Sequence, residues 1–134
     1  MNITNYDDLL NAARMQPDAQ RLLFVFASAE LPDDADETQK ERFSAGEGGS
    51  LSPVICVDKL PAELSDFMSL VQESCQTGVS WDIVFVAGLS GVGAIPPSSD
   101  EAEQPLMMMV EAIKNGRLGN LLAFNNQGDL VQFF

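Results

Sequence analysis

Residues 81–93 (Trp-Asp-Ile-Val-Phe-Val-Ala-Gly-Leu-Ser-Gly-Val-Gly) constrain the fold most, because an apolar run of β-branched and aromatic residues passes directly into a glycine-rich segment. A strand without polar alternation is expected to be covered on both faces, like a central strand of an α/β sheet. Residues 21–27 (Arg-Leu-Leu-Phe-Val-Phe-Ala) repeat the pattern. The two strands are therefore expected side by side. Residues 52–58 (Ser-Pro-Val-Ile-Cys-Val-Asp) predict a further strand, with Pro53 tolerated in its first residues.

Helical spacing accounts for three other segments. Tyr6, Leu9, Leu10 and Ala13 predict an opening amphipathic helix, with Thr4 and Asp7 as a capping box. Pro61 in a first turn, then Leu64, Phe67, Met68, Val71 and Cys75 on one face, predict a second helix ended by Gly78. Leu106, Met109, Val110 and Ile113 predict a third. Its start is expected near Gln104, since a start at Ser98 would place Pro105 inside the helix. The strand over 52–58, the second helix and the Trp81 strand form a β-α-β unit, which implies parallel pairing and a right-handed crossover. Residues 121–124 and 130–134 flank Asn-Asn-Gln-Gly-Asp, a pattern that predicts an antiparallel hairpin. Residues 30–50 are mainly polar and are expected to form a surface excursion or a lid.

The resulting expectation is one α/β domain over residues 1–134. It would be a two-layer or three-layer sandwich of about five strands, with a mostly parallel centre and a C-terminal antiparallel hairpin. A 134-residue chain removes roughly two thirds of its unfolded surface from water on folding, enough for a core without staples.

Charge and residue inventory narrow the chemistry. Seven Lys and Arg against 20 Asp and Glu give a formal net charge of -13. With its cations dispersed among acids, the chain is not expected to bind nucleic acid or an anionic membrane. No apolar stretch approaches the ~18 residues that span a bilayer, and the first residues lack the cations of a signal peptide. A cytoplasmic location is the expectation. The chain has no histidine, so Ser-His-Asp and Cys-His catalytic arrangements and imidazole-ligated zinc are ruled out. Cys56 and Cys75 are not spaced for zinc and are expected as small core hydrophobes.

Parallel strands would bring their carboxyl ends to one edge, where ligands bind in such sheets. Glu30, Asp33, Asp34, Asp58, Lys59 and Ser90 would then line a crevice able to hold magnesium, a cationic metabolite or acid/base chemistry. Solvated loop acids, with Asp58 capping the helix that begins near Pro61, are the simpler alternative. Gly91 and Gly93 would form one wall. Residues 88–93 match neither a nucleophile elbow nor a phosphate-loop pattern, and no motif identifies a cofactor. In Met107-Met108-Met109 only Met109 falls cleanly on the buried stripe, so Met107 and Met108 are partner-contact candidates, with core filling by all three as the simpler reading. Phe134, at the end of an edge strand, is another such candidate.

Residues 21–34, 46–49 (Gly-Glu-Gly-Gly), 56–59 (Cys-Val-Asp-Lys) and 81–87 resemble a short bacterial family, some members of which carry the label "ribonucleotide reductase alpha subunit". The resemblance assigns no catalytic residue here. A complete reductase alpha chain needs a radical cysteine, a redox pair and further C-terminal cysteines, and this chain has two cysteines. The expected function is thus a non-catalytic binding module, acting through a protein partner or through self-association as a homodimer. The alternative is a metal- or metabolite-dependent enzyme using the edge carboxylates.

Overall fold

The computed structural model describes residues 5–30, 37, 50–64, 66–115, 117 and 121–131. In chain order these form α1 (Tyr6–Arg14), β1 (Gln20–Glu30), β2 (Ser50–Lys59), a 3-10 turn (Pro61–Glu63), α2 (Phe67–Cys75), β3 (Ile83–Ser90), α3 (Ser99–Lys114), β4 (Leu122–Asn125) and β5 (Leu130–Val131). The strands make one sheet in the order β2-β1-β3-β4-β5.

Every adjacent pair in that sheet is antiparallel, which overturns the expected parallel centre. β1 and β2 follow each other in the chain and pair directly, with Glu30 opposite Ser50 at one end and Leu22 opposite Lys59 at the other. β2 and β3 both run against β1, so they share a direction. They do not touch, because β1 lies between them. The helical connection from β2 to β3 is therefore a crossover that spans an antiparallel strand. β3 occupies the middle position as expected, but its neighbours are β1 and β4. A continuous apolar run reports cover on both faces, and an antiparallel sheet covered twice produces the same run as a parallel one.

Alternation along each strand sorts the core into two layers. On one face Leu22, Phe24 and Phe26 of β1 join Val84 and Val86 of β3 and Phe124 of β4 beneath α1 and α2. On the other, Leu23, Val25 and Ala27 join Phe85 and Ala123 beneath Ala102, Met109 and Ile113 of α3. The first layer is aromatic, with Tyr6 against Phe67 at 5.3 Å between ring centroids and Phe26 against Trp81 at 4.9 Å, both edge-on, the geometry favoured by ring quadrupoles. Buried Trp81 donates its indole N–H to Ser74 Oγ at 2.8 Å, and Ser74 Oγ donates to the Val71 carbonyl.

Local chemistry explains the helix starts. Asn5 caps α1, its side chain accepting from the Asp8 amide, in place of the expected Thr4. Pro61 opens only the 3-10 turn; α2 begins at Phe67, where Asp66 accepts from the Ser69 amide. The buried face of α2 is Phe67, Leu70 and Ser74, while Met68 is exposed. Cys56 and Cys75 are exposed as well, contrary to the core role expected of them. α3 begins at Ser99, not near Gln104, and continues through Pro105. A reciprocal box between Ser98 and Glu101 and the burial of Ala102 secure the turn that precedes the proline, offsetting its missing amide. β4 and β5 pair around a turn in which Asn125 accepts from the Gln127 and Asp129 amides.

Candidate functional site

Antiparallel pairing divides the expected crevice. Asp58 lies opposite Leu23, seven residues from Glu30 along β1, a distance of about 24 Å at strand rise. Glu30 thus stands at the far end of the sheet from Asp58, Lys59 and Ser90. Asp33, Asp34 and Phe134 lie outside the described residues.

The remaining candidates share one end of the sheet but not one face. Successive strand residues point in opposite directions, so Asp58 faces α3 and Lys59 faces α2. Asp58 Oδ2 accepts from Arg21 Nη1 at 2.6 Å and from Ser99 Oγ at 2.8 Å. Arg21 also donates from Nε to the Pro97 carbonyl at 2.6 Å and from Nη1 to Ser99 Oγ at 3.3 Å. The Arg21 and Asp58 side chains are 12% and 21% exposed. This cluster latches the first residues of α3 to β1 and β2, and the carboxylate sits where the helix macrodipole favours negative charge. Asp58 does not cap the 3-10 turn or α2. Lys59 instead pairs with Glu73 of α2 at 2.6 Å.

The glycines build a second hairpin. β3 runs through Gly88 to Ser90, and the chain reverses between Val92 and Ile95, whose backbones exchange bonds of 2.9 and 3.0 Å. Gly93 has φ +57 and Ala94 has no positive φ, the sign pattern of a type II′ turn. The Gly91 amide donates to the Ala19 carbonyl, the Gly93 carbonyl accepts from the Ala19 amide, and the Gly93 amide donates to Asp18 Oδ1 at 2.9 Å. The Gly91 and Gly93 amides are therefore both taken by groups of the chain itself. Ser90 Oγ accepts from Gln20 Nε2 at 2.8 Å on the face opposite Asp58. As they stand, these side chains knit the sheet end together; a ligand there would compete with Arg21 and Ser99 for Asp58. Among the described residues no group of three or more Cys, Asp or Glu is placed to hold a metal ion, and no helix is long and apolar enough to cross a membrane.

The methionine run does not fill the core as a whole, contrary to the simpler expectation. Met109 is 6% exposed, Met107 68% and Met108 66%. Sequence reasoning missed Arg21 and Ser99 as the partners of Asp58, because facing them requires the strand direction. It also missed Val92 and Ile95, both largely exposed at the hairpin tip, whose signal was the glycine between two β-branched residues. Comparison with protein-family models, with curated proteins and with solved structures gives no match.

Proposed function

We propose that the chain is a non-catalytic binding or self-association module, and that the outer face of α3 is its contact surface. The exposure of two adjacent methionines beside a buried third carries this reading. Methionine is flexible and polarizable and adapts to a partner's shape, and contiguous apolar surface rimmed by polar residues is the mark of an interaction site. The helix that presents them is held at its start by the Ser98–Glu101 box and by the Arg21–Asp58–Ser99 latch, so the surface is preorganised.

The test compares wild type with Met107→Gln/Met108→Gln by light scattering over a wide concentration range and by affinity capture. Glutamine keeps length and helix propensity and leaves the fold intact. Association or capture lost in the double variant supports the proposal; identical behaviour of both proteins removes it. A thermal-shift screen with magnesium, manganese and nucleotides addresses the enzymatic alternative, for which specific stabilisation abolished by Asp58→Asn is the required result.

A further inference from the structure

We infer that the outer face of α3 takes a cationic amphipathic helix from another protein in preference to a second copy of this chain. The inference rests on the contact surface proposed above and names its partner. Glu103 and Glu111 lie four residues before and after Met107, which places them one turn to either side of it on the same ridge. Asp100 and Gln104 continue the exposed face toward the N-terminus, and Lys114 in the last turn is the one cation of the helix. The surface is therefore a thioether pair bordered by carboxylates.

That border discriminates between occupants. In a two-fold pair of α3 helices centred on Met107, antiparallel packing sets Glu103 of one copy against Glu111 of the other. Parallel packing sets each glutamate against its own equivalent. Both arrangements oppose like charges, and two chains of formal net charge -13 repel each other before contact. A helix with an apolar stripe at i, i+3, i+4 and i+7, flanked by Lys or Arg, seats the methionines while its cations meet Glu103 and Glu111. Charge placed in this way selects partners by repulsion as much as by attraction.

The probe is a labelled Leu/Lys amphipathic peptide about five turns long, ~18 residues at 3.6 per turn, with a Leu/Glu version of the same pattern as control. Anisotropy titrations against the full chain are expected to show binding of the Leu/Lys peptide alone, weakening as salt rises from about 50 to about 500 mM. Met107→Gln/Met108→Gln is expected to reduce affinity about tenfold and Glu103→Gln/Glu111→Gln about fivefold. Asp7→Asn/Glu73→Gln removes the same charge from α1 and α2, which cover the opposite side of the sheet, and is expected to change affinity less than about twofold. An equal loss in the two charge variants, with none in the methionine variant, means diffuse attraction and overturns the inference. Dimerisation of wild type by light scattering, abolished by Met107→Gln/Met108→Gln, overturns the cationic partner while keeping the contact surface. Independence of both peptide binding and self-association from the methionines overturns both.

Discussion

Replacing Gly91 with alanine tests whether the glycine segment is a structural turn. A Cβ at Gly91 would lie 2.0 Å from the Ile95 carbonyl oxygen and 2.8 Å from Pro96 Cα, whereas carbon contacts relax only near 3.5 Å. Both obstacles are backbone, so residues 95–96 must move by more than about 1 Å. That movement breaks the two Val92–Ile95 bonds and disturbs the pairing of Gly91 and Gly93 with Ala19. Two to four bonds at a net of about 1 kcal/mol each amount to a loss of about 2–4 kcal/mol. With an unfolding entropy of about 2.1 cal/mol/K per residue, 134 residues give ~0.28 kcal/mol per degree, and the expected fall in Tm is about 7–14 °C. Gly93→Ala meets nothing within 4 Å and bears only the left-handed backbone, about 1 kcal/mol or ~4 °C; Gly93→Asn should lose less. Thermal and urea unfolding followed by circular dichroism read the order Gly91→Ala, Gly93→Ala, Gly93→Asn. A Gly91→Ala protein melting within about 2 °C of wild type would refute the turn geometry and reopen the segment as a ligand loop.

Ser74→Ala strips the partner from the buried Trp81 indole N–H, at an expected loss of about 1–3 kcal/mol; emission of the single tryptophan reports it directly, and an unchanged spectrum and midpoint would count against the bond. Asp58→Asn keeps an acceptor for Arg21 and Ser99 but removes the charge, for an expected ~1–2 kcal/mol in the urea midpoint at constant m; a silent substitution would mean that the latch is not formed in solution. Tyr6 Oη is buried with no hydrogen-bond partner among the described residues, and burial, reinforced by the nearby Asp66 carboxylate, holds its hydroxyl well above the ordinary tyrosine range. The unfolded state then ionises first, so this group leaves stability unaffected below about pH 10 and lowers it as pH rises above that. Tyr6→Phe should leave neutral-pH stability unchanged or raised by up to about 1 kcal/mol, and should flatten the alkaline decline; marked destabilisation at pH 7 would show that the hydroxyl has a partner.

Much of the secondary structure was legible because local rules produce it. The apolar runs over 21–27 and 81–87 became the cores of β1 and β3, and the 3.6-residue stripe of α3 separated Met109 from its neighbours. Pro105 misplaced the start of α3: a proline deletes one intrahelical bond, and the Ser98–Glu101 box with buried Ala102 outweighs that loss. Cys75 misled for a related reason. Helical spacing identifies a face, but the position of α2 over the sheet makes Phe67, Leu70 and Ser74 the buried one. Cys56 sits in an apolar strand, yet β2 is an edge strand and leaves it exposed.

The sequence by itself determined that β1 and β3 are covered on both faces and that histidine chemistry is absent. These follow from composition and from the two-residue period of a strand, which need no knowledge of neighbours. Only the tertiary structure decided that β1 runs against β2 and β3, and with it that Glu30 stands about 24 Å along the sheet from the Asp58 it was expected to join. Strand direction is set by where the chain turns back, and no residue within an apolar run encodes that. The pairing of Asp58 with Arg21 and Ser99 has the same origin, since three segments distant in sequence meet only once the order β2-β1-β3 and the placement of α3 are known.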